Sequence, residues 1–137
     1  MLAKTAFIVI ALAVSASTAS GQQKSYSFSK GPSEMCGITG GSAADFRRQV
    51  SKSKKHKRTK KTDLFEVFVS EEDRAQWVFT LPSEPAHPAV TCRQVIFRGG
   101  ALYLDRQLVC GASRKECDRL AAEFEAVDEQ ARQAISK

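Results

Sequence analysis

Four cysteines, Cys36, Cys92, Cys110 and Cys117, bound what this chain can fold into. The number is even, and no Cys-x-x-Cys pair occurs, so a thioredoxin-like redox motif is excluded. Whether such cysteines cross-link depends on the compartment. The first twenty residues bear on that. Lys4 supplies one positive charge, Thr5 to Val14 is an apolar run, and Ser15 to Ser20 offers small residues for cleavage after Ala19 or Ser20. This is the pattern of a secretory signal peptide over residues 1–20. The run is shorter than the roughly 20 residues of a spanning helix, which argues against a retained anchor. The expected location is the periplasm or the extracellular space, where the cysteines read as disulfides. Of the three possible pairings, spacing favours Cys110–Cys117, which closes a turn, and Cys36–Cys92, which ties the N-terminal segment to a sheet. On sequence the other two stay open. The remaining residues, 21–137, suffice for one domain.

Apolar periodicity places the elements. Tyr26 and Phe28 alternate within a polar stretch and suggest a short edge strand. Gly31 to Gly41, with Pro32 and several glycines around Cys36, reads as a loop. Ser42 is a helix N-cap with Asp45 in the first turn, and Phe46 and Val50 lie one turn apart. DLFEVFV, residues 63–69, is a strand with Phe65, Val67 and Val69 on one side and Leu64, Glu66 and Phe68 on the other. After a polar turn the alternation resumes with Trp77, Phe79 and Leu81, so a hairpin is expected. Three prolines make Pro82 to Pro88 a stiff connector that cannot be a central strand.

Val90 to Arg98 and Ala101 to Cys110 flank Gly99-Gly100, a pair suited to a two-residue hairpin turn. Counting outward pairs Phe97 with Leu102, Val95 with Leu104 and Arg93 with Arg106. The like charges of the last pair suggest a bulge or slip near Asp105. Ser113 to Glu116 is a capping box. Cys117, Leu120, Ala121, Phe124, Val127, Ala131 and Ile135 then follow at helical spacing for five to six turns, with Glu123, Glu125, Asp128 and Glu129 on the polar face. The fold class expected is α+β: an antiparallel sheet of four to five strands packed by one long C-terminal helix, plus a short N-terminal helix.

One segment stands apart in charge. Arg47 to Lys61, RRQVSKSKKHKRTKK, holds nine Lys or Arg and no acid: Arg47, Arg48, Lys52, Lys54, Lys55, Lys57, Arg58, Lys60 and Lys61. The whole chain carries +6. Without these nine and Lys4, eleven basic residues face 15 acidic ones, a balance of −4. A mildly acidic body thus carries one concentrated basic segment, which self-repulsion should keep solvated and extended as a loop unless something anionic neutralises it. These nine are the candidate anion-binding residues. The segment lacks aromatic residues for base stacking, which disfavours nucleic acid. Acidic lipid, envelope polysaccharide or another envelope protein fits the expected compartment better. The competing reading is a surface loop with no dedicated partner.

The pieces Trp77-x-Phe79-Thr80, His87-Pro88-Ala89, and Cys110 with Cys117 before a helix make the chain similar to small exported bacterial proteins of uncharacterised function. The resemblance covers roughly Phe65 to Phe124 and leaves out the basic segment. It implies a compartment and a fold, and no chemistry.

Catalytic groups are sparse. His87 in the proline-rich connector suits a structural hydrogen bond better than a general base. His56 lies among cations that repel a metal ion, and cross-linked cysteines leave no three-ligand set, so no metal is expected. No serine occupies a Gly-x-Ser-x-Gly elbow. Gly40-Gly41-Ser42 and Gly99-Gly100 are lone glycine pairs, and Glu71-Glu72-Asp73 reads as a solvated turn. Trp77 and Tyr103 fit core positions on alternating strands better than interface anchors. The acidic face of the last helix has the wrong sign for an anionic bilayer. The sequence therefore favours a non-catalytic exported module without cofactor. The alternative is a small enzyme or inhibitor with its site at Pro82–Pro88. A non-reducing peptide map with a thiol count is expected to find no free thiol in the mature protein. Four reduced thiols would remove both the compartment and the cross-links from the reading.

Overall fold

The computed structural model describes residues 33–135. The signal segment and the strand expected around Tyr26 and Phe28 lie outside them. The described chain is α+β, with a two-stranded hairpin, a five-stranded antiparallel sheet, a short helix and a long C-terminal helix.

The segment expected to be a loop around Cys36 is instead a hairpin of β1 (Ser33–Met35) and β2 (Ile38–Gly40). Its two-residue turn, Cys36-Gly37, has positive φ at both positions, 45° and 80°. That is the requirement of the turn whose twist matches antiparallel strands. Helix α1 (Ala43–Lys52) follows, its Ser42 hydroxyl accepting from the Asp45 amide. Gly40 lets α1 sit close, because a Cβ there would come within 2.9 Å of the Phe46 ring.

The large sheet is a meander in chain order: β3 (Lys57–Lys61), β4 (Phe65–Ser70), β5 (Ala75–Thr80), β6 (Ala89–Arg98) and β7 (Ala101–Cys110). Its two faces carry two cores. On one, Phe68, Trp77, Phe79, Val90, Cys92 and Val109 meet Met35 and the Phe46 and Val50 side of α1. On the other, Ala89, Leu108 and Cys110 meet Cys117 and Leu120 of α2 (Arg114–Ile135), with Phe65 edge-on to Phe124. The Ser113 hydroxyl accepts from the Glu116 amide at the start of α2. The 22 residues make about six turns.

Both layers are cross-linked to the sheet. Cys36 bonds Cys92 and Cys110 bonds Cys117, and no described cysteine is free. The sequence separations of 56 and 7 give about 4 and 2.5 kcal/mol by chain entropy. Two such cross-links are consistent with an oxidising, exported environment.

The β6–β7 register pairs Val95 with Leu104, Phe97 with Leu102 and Arg93 with Arg106, with no shift near Asp105. The expected bulge is unnecessary because α2 supplies a counter-charge. Asp128, expected on the polar face, is 1% exposed and receives both arginines. Arg106 donates from Nε to Oδ2 at 2.6 Å and from Nη2 to Oδ1 at 2.8 Å, and Arg93 donates from Nη1 to Oδ1 at 3.3 Å. Two further expectations fail near this end of the molecule. Tyr103 is exposed where a core role was favoured, as are Phe97 and Leu102 beyond the reach of β5. Val127 and Ile135 are about half exposed, because Asp128 rather than Val127 faces the sheet.

Burial by itself pushes the Asp128 carboxyl up, but the hydrogen bonds and charges of Arg106 and Arg93 outweigh it and hold the group below the usual carboxylate range. A depressed folded value contributes stability above the unfolded value near 3.9 that is lost as pH falls through the folded one. Asp128→Ala should cost about 3–5 kcal/mol in urea unfolding, since it leaves two guanidiniums facing each other without a carboxylate. Asp128→Asn should flatten the acid limb of the stability curve below about pH 4. An unchanged acid limb would show that Asp128 is not the group that titrates there.

Candidate functional site

The basic segment is not an extended loop. Its first part lies in α1, its last in β3, and Ser53 to His56 join them. Acids from elsewhere in the chain neutralise part of the charge, which lifts the self-repulsion that would keep the segment extended. Arg47 forks onto Glu66, donating from Nε to Oε1 at 2.9 Å and from Nη2 to Oε2 at 3.2 Å. Arg58 lies 3.6 Å from the same carboxylate. Arg48 pairs with Asp45, and Lys55 with Asp73 at 2.8 Å. Asp73, expected to be solvated, is partly buried and bonded to Ser70 as well. Its hydrogen bond to Lys55 is the main reason its carboxyl is held below the usual range.

Lys52, Lys54, Lys57, Lys60 and Lys61 make no ion pair among the described residues, and all nine basic side chains are exposed. β3 has no apolar alternation. It stays in the sheet through its backbone ladder to β4, and its other edge is unpaired among the described residues. Lysines on such an edge oppose strand addition by another chain. The ladder shifts register between Arg58 and Lys60. Arg58 pairs with Phe68 and Lys61 with Glu66, both on the α1 face, while Lys57 and Lys60 pair with Val69 and Val67 on the α2 face. The β3 cations therefore lie on both faces of the edge strand, while Arg47, Arg48 and Lys52 lie on α1 and Lys54 and Lys55 in the turn between.

His56 was read as one more member of a solvated run, yet it is buried against Trp77, ring edge to face at 6.2 Å. Neither ring nitrogen has a protein hydrogen-bond partner, nor does the Trp77 indole nitrogen. Burial lowers the His56 pKa, the Lys55 charge lowers it further, and Asp73 only partly opposes them. No local pattern marks this burial, because Trp77, which shelters His56, comes from outside the segment.

The connector is occupied structurally. Glu84 is buried, accepts from the Ala86 amide and pairs with Arg119 of α2. The Thr80 hydroxyl donates to the Ala89 carbonyl and accepts from the Ala89 amide. That leaves the His87 Nδ1–H to donate to the Thr80 carbonyl at 3.0 Å. Trp77 is wholly buried. Beside β3, Lys60, Thr62, Phe65, Val67, Val78 and Phe124 line a cleft of about 180 Å³. Among the described residues no three His, Cys, Asp or Glu side chains gather as a metal site, and no helix is long and apolar enough to cross a membrane.

The fold defines an α+β domain whose sheet carries a layer cross-linked to it on each face, with exposed basic residues on its edge strand β3. No protein-family model, curated protein or solved structure matches the chain.

The His56 geometry carries a pH prediction. A histidine with a lowered folded pKa contributes fully above the unfolded value of about 6.5, and that contribution is lost as pH falls below it. Thermal unfolding should therefore show a loss of stability from pH 7 to 5 that His56→Phe removes. An identical loss in the variant would assign the effect to another group.

Proposed function

We propose that this is a non-catalytic exported module that binds an anionic component of the envelope through its basic segment. The supporting observation is that Lys52, Lys54, Lys57, Lys60 and Lys61 are exposed and make no ion pair among the described residues, on the end of α1, the turn after it and the edge strand β3. Each lysine or arginine near an anionic surface contributes about 1 kcal/mol, so the five give weak and reversible attachment. With a screening length of about 8 Å at physiological salt, attachment weakens as salt rises. The resemblance to small exported bacterial proteins and the two disulfides support the compartment.

The mature protein should bind acidic phospholipid vesicles or an anionic envelope polysaccharide at low salt and release them at high salt. Replacing the five unpaired lysines by Gln should weaken binding at low salt more than about tenfold. Equal binding by that variant, or no binding of the wild type to either material, would overturn the reading. The stronger of the two materials identifies the partner.

A further inference from the structure

Two buried acids organise this molecule, and each holds two arginines. At Asp128 the arginines are closed off, with Arg93 23% and Arg106 12% exposed. At Glu66 the acid is as deeply buried, at 0%, but Arg47 is 47% and Arg58 55% exposed. The first triad reads as a sealed structural device. The second presents its guanidiniums to solvent while a buried carboxylate fixes their inner edges.

A third cation joins them through the backbone. In a regular strand, residues three apart point to opposite faces. The register shift between Arg58 and Lys60 inserts one residue, so Arg58 and Lys61 point to the same face as Glu66. Bulges of this kind re-aim side chains next to functional sites. Lys61 lies directly across the ladder from Glu66 and has no ion pair among the described residues. Two arginines paired with Glu66 and one lysine opposite it in the ladder leave an excess of two positive charges. A phosphomonoester or inorganic phosphate carries about −1.5 to −2 at pH 7 and matches that excess. Arg47 turns Nε and Nη2 to Glu66, and the guanidinium donors that remain on Arg47 and Arg58 can donate to phosphate oxygens.

We infer that Arg47, Arg58 and Lys61 form a site for one phosphate or phosphomonoester group, with Glu66 as the positioning residue. The inference rests on the anion-binding reading above and narrows it to a particular chemistry. The phosphate belongs either to a lipid headgroup or to a soluble molecule.

Glu66→Gln separates an organised site from bulk attraction, because the two predict opposite signs. The substitution makes the protein more positive, so bulk attraction would tighten binding. Loss of the positioning carboxylate should instead weaken phosphate binding about tenfold or more. Since Glu66 is buried and the variant can lose its fold, Arg47→Lys combined with Arg58→Lys is the second test. It keeps both charges at exposed positions and removes the forks. Titrations with inorganic phosphate, followed by the arginine side-chain NH signals in NMR spectra, should saturate in the wild type and weaken about tenfold in the double variant. Vesicles bearing a phosphomonoester lipid, compared with a phosphodiester lipid of matched charge, report whether a headgroup is the source. Phosphate binding no tighter than acetate, or unchanged in the double variant, overturns the site. If vesicle binding still depends on the five unpaired lysines, the broader reading stands without it.

Discussion

Cys92 and Cys110 sit on neighbouring strands but face opposite sides of one sheet. Cys92 pairs across the ladder with Gln107, and Cys110 lies three residues further along, so alternation turns it to the other face. One cross-link therefore holds the β1–β2 hairpin over the α1 side, and the other holds the start of α2 over the opposite side. A five-stranded meander with apolar residues on both faces must be covered twice. In a described body of about a hundred residues neither cover is large. The disulfides limit how far either layer can leave in the unfolded ensemble, and that is their contribution to stability.

Between those pins, charge finishes the packing. Asp128 permits a register that would otherwise set two arginines against each other, and in doing so it places the second half of α2 over β6 and β7. Glu66 does the same for α1 and β3, linking a helix residue and an edge-strand residue to a buried point on β4. Removing one partner from such a buried set costs more than the set contributes as a whole, since the remaining charges stay buried or face one another.

Much of this was legible in the residues. Alternation gave β4 and β5, the Gly-Gly pair gave the β6–β7 register, and the capping box gave the start of α2. The cysteine spacing favoured the pairing that the structure has. β3 is not legible from periodicity, because an edge strand uncovered by either helix needs only its backbone ladder and shows no hydrophobic period. The signal for the buried acids was present and misweighed. Glu66 fell on the same side as Leu64 and Phe68, and Asp128 lies one turn beyond Phe124 on the apolar stripe. An acid on an apolar face, with arginines elsewhere on alternating strands, is itself a marker of a buried ion set. His56 had no comparable signal, since its shelter comes from Trp77 on a distant strand.

The edge position of β3 also reconciles two roles that compete elsewhere. An open edge invites another strand, and lysines there repel it. The same lysines, displayed on both faces by the alternation of β3 and its register shift, form the densest positive charge on an otherwise acidic body. Protection from edge pairing needs only a few charges and no particular geometry. It does not require Glu66 to draw Arg47 from a helix toward Arg58 on the strand, nor a shift that brings Lys61 to the same side. Solubility accounts for the charge count at this edge; it does not account for two arginines from different elements meeting on one buried carboxylate with Lys61 opposite it in the ladder, which is the arrangement the proposed phosphate site rests on.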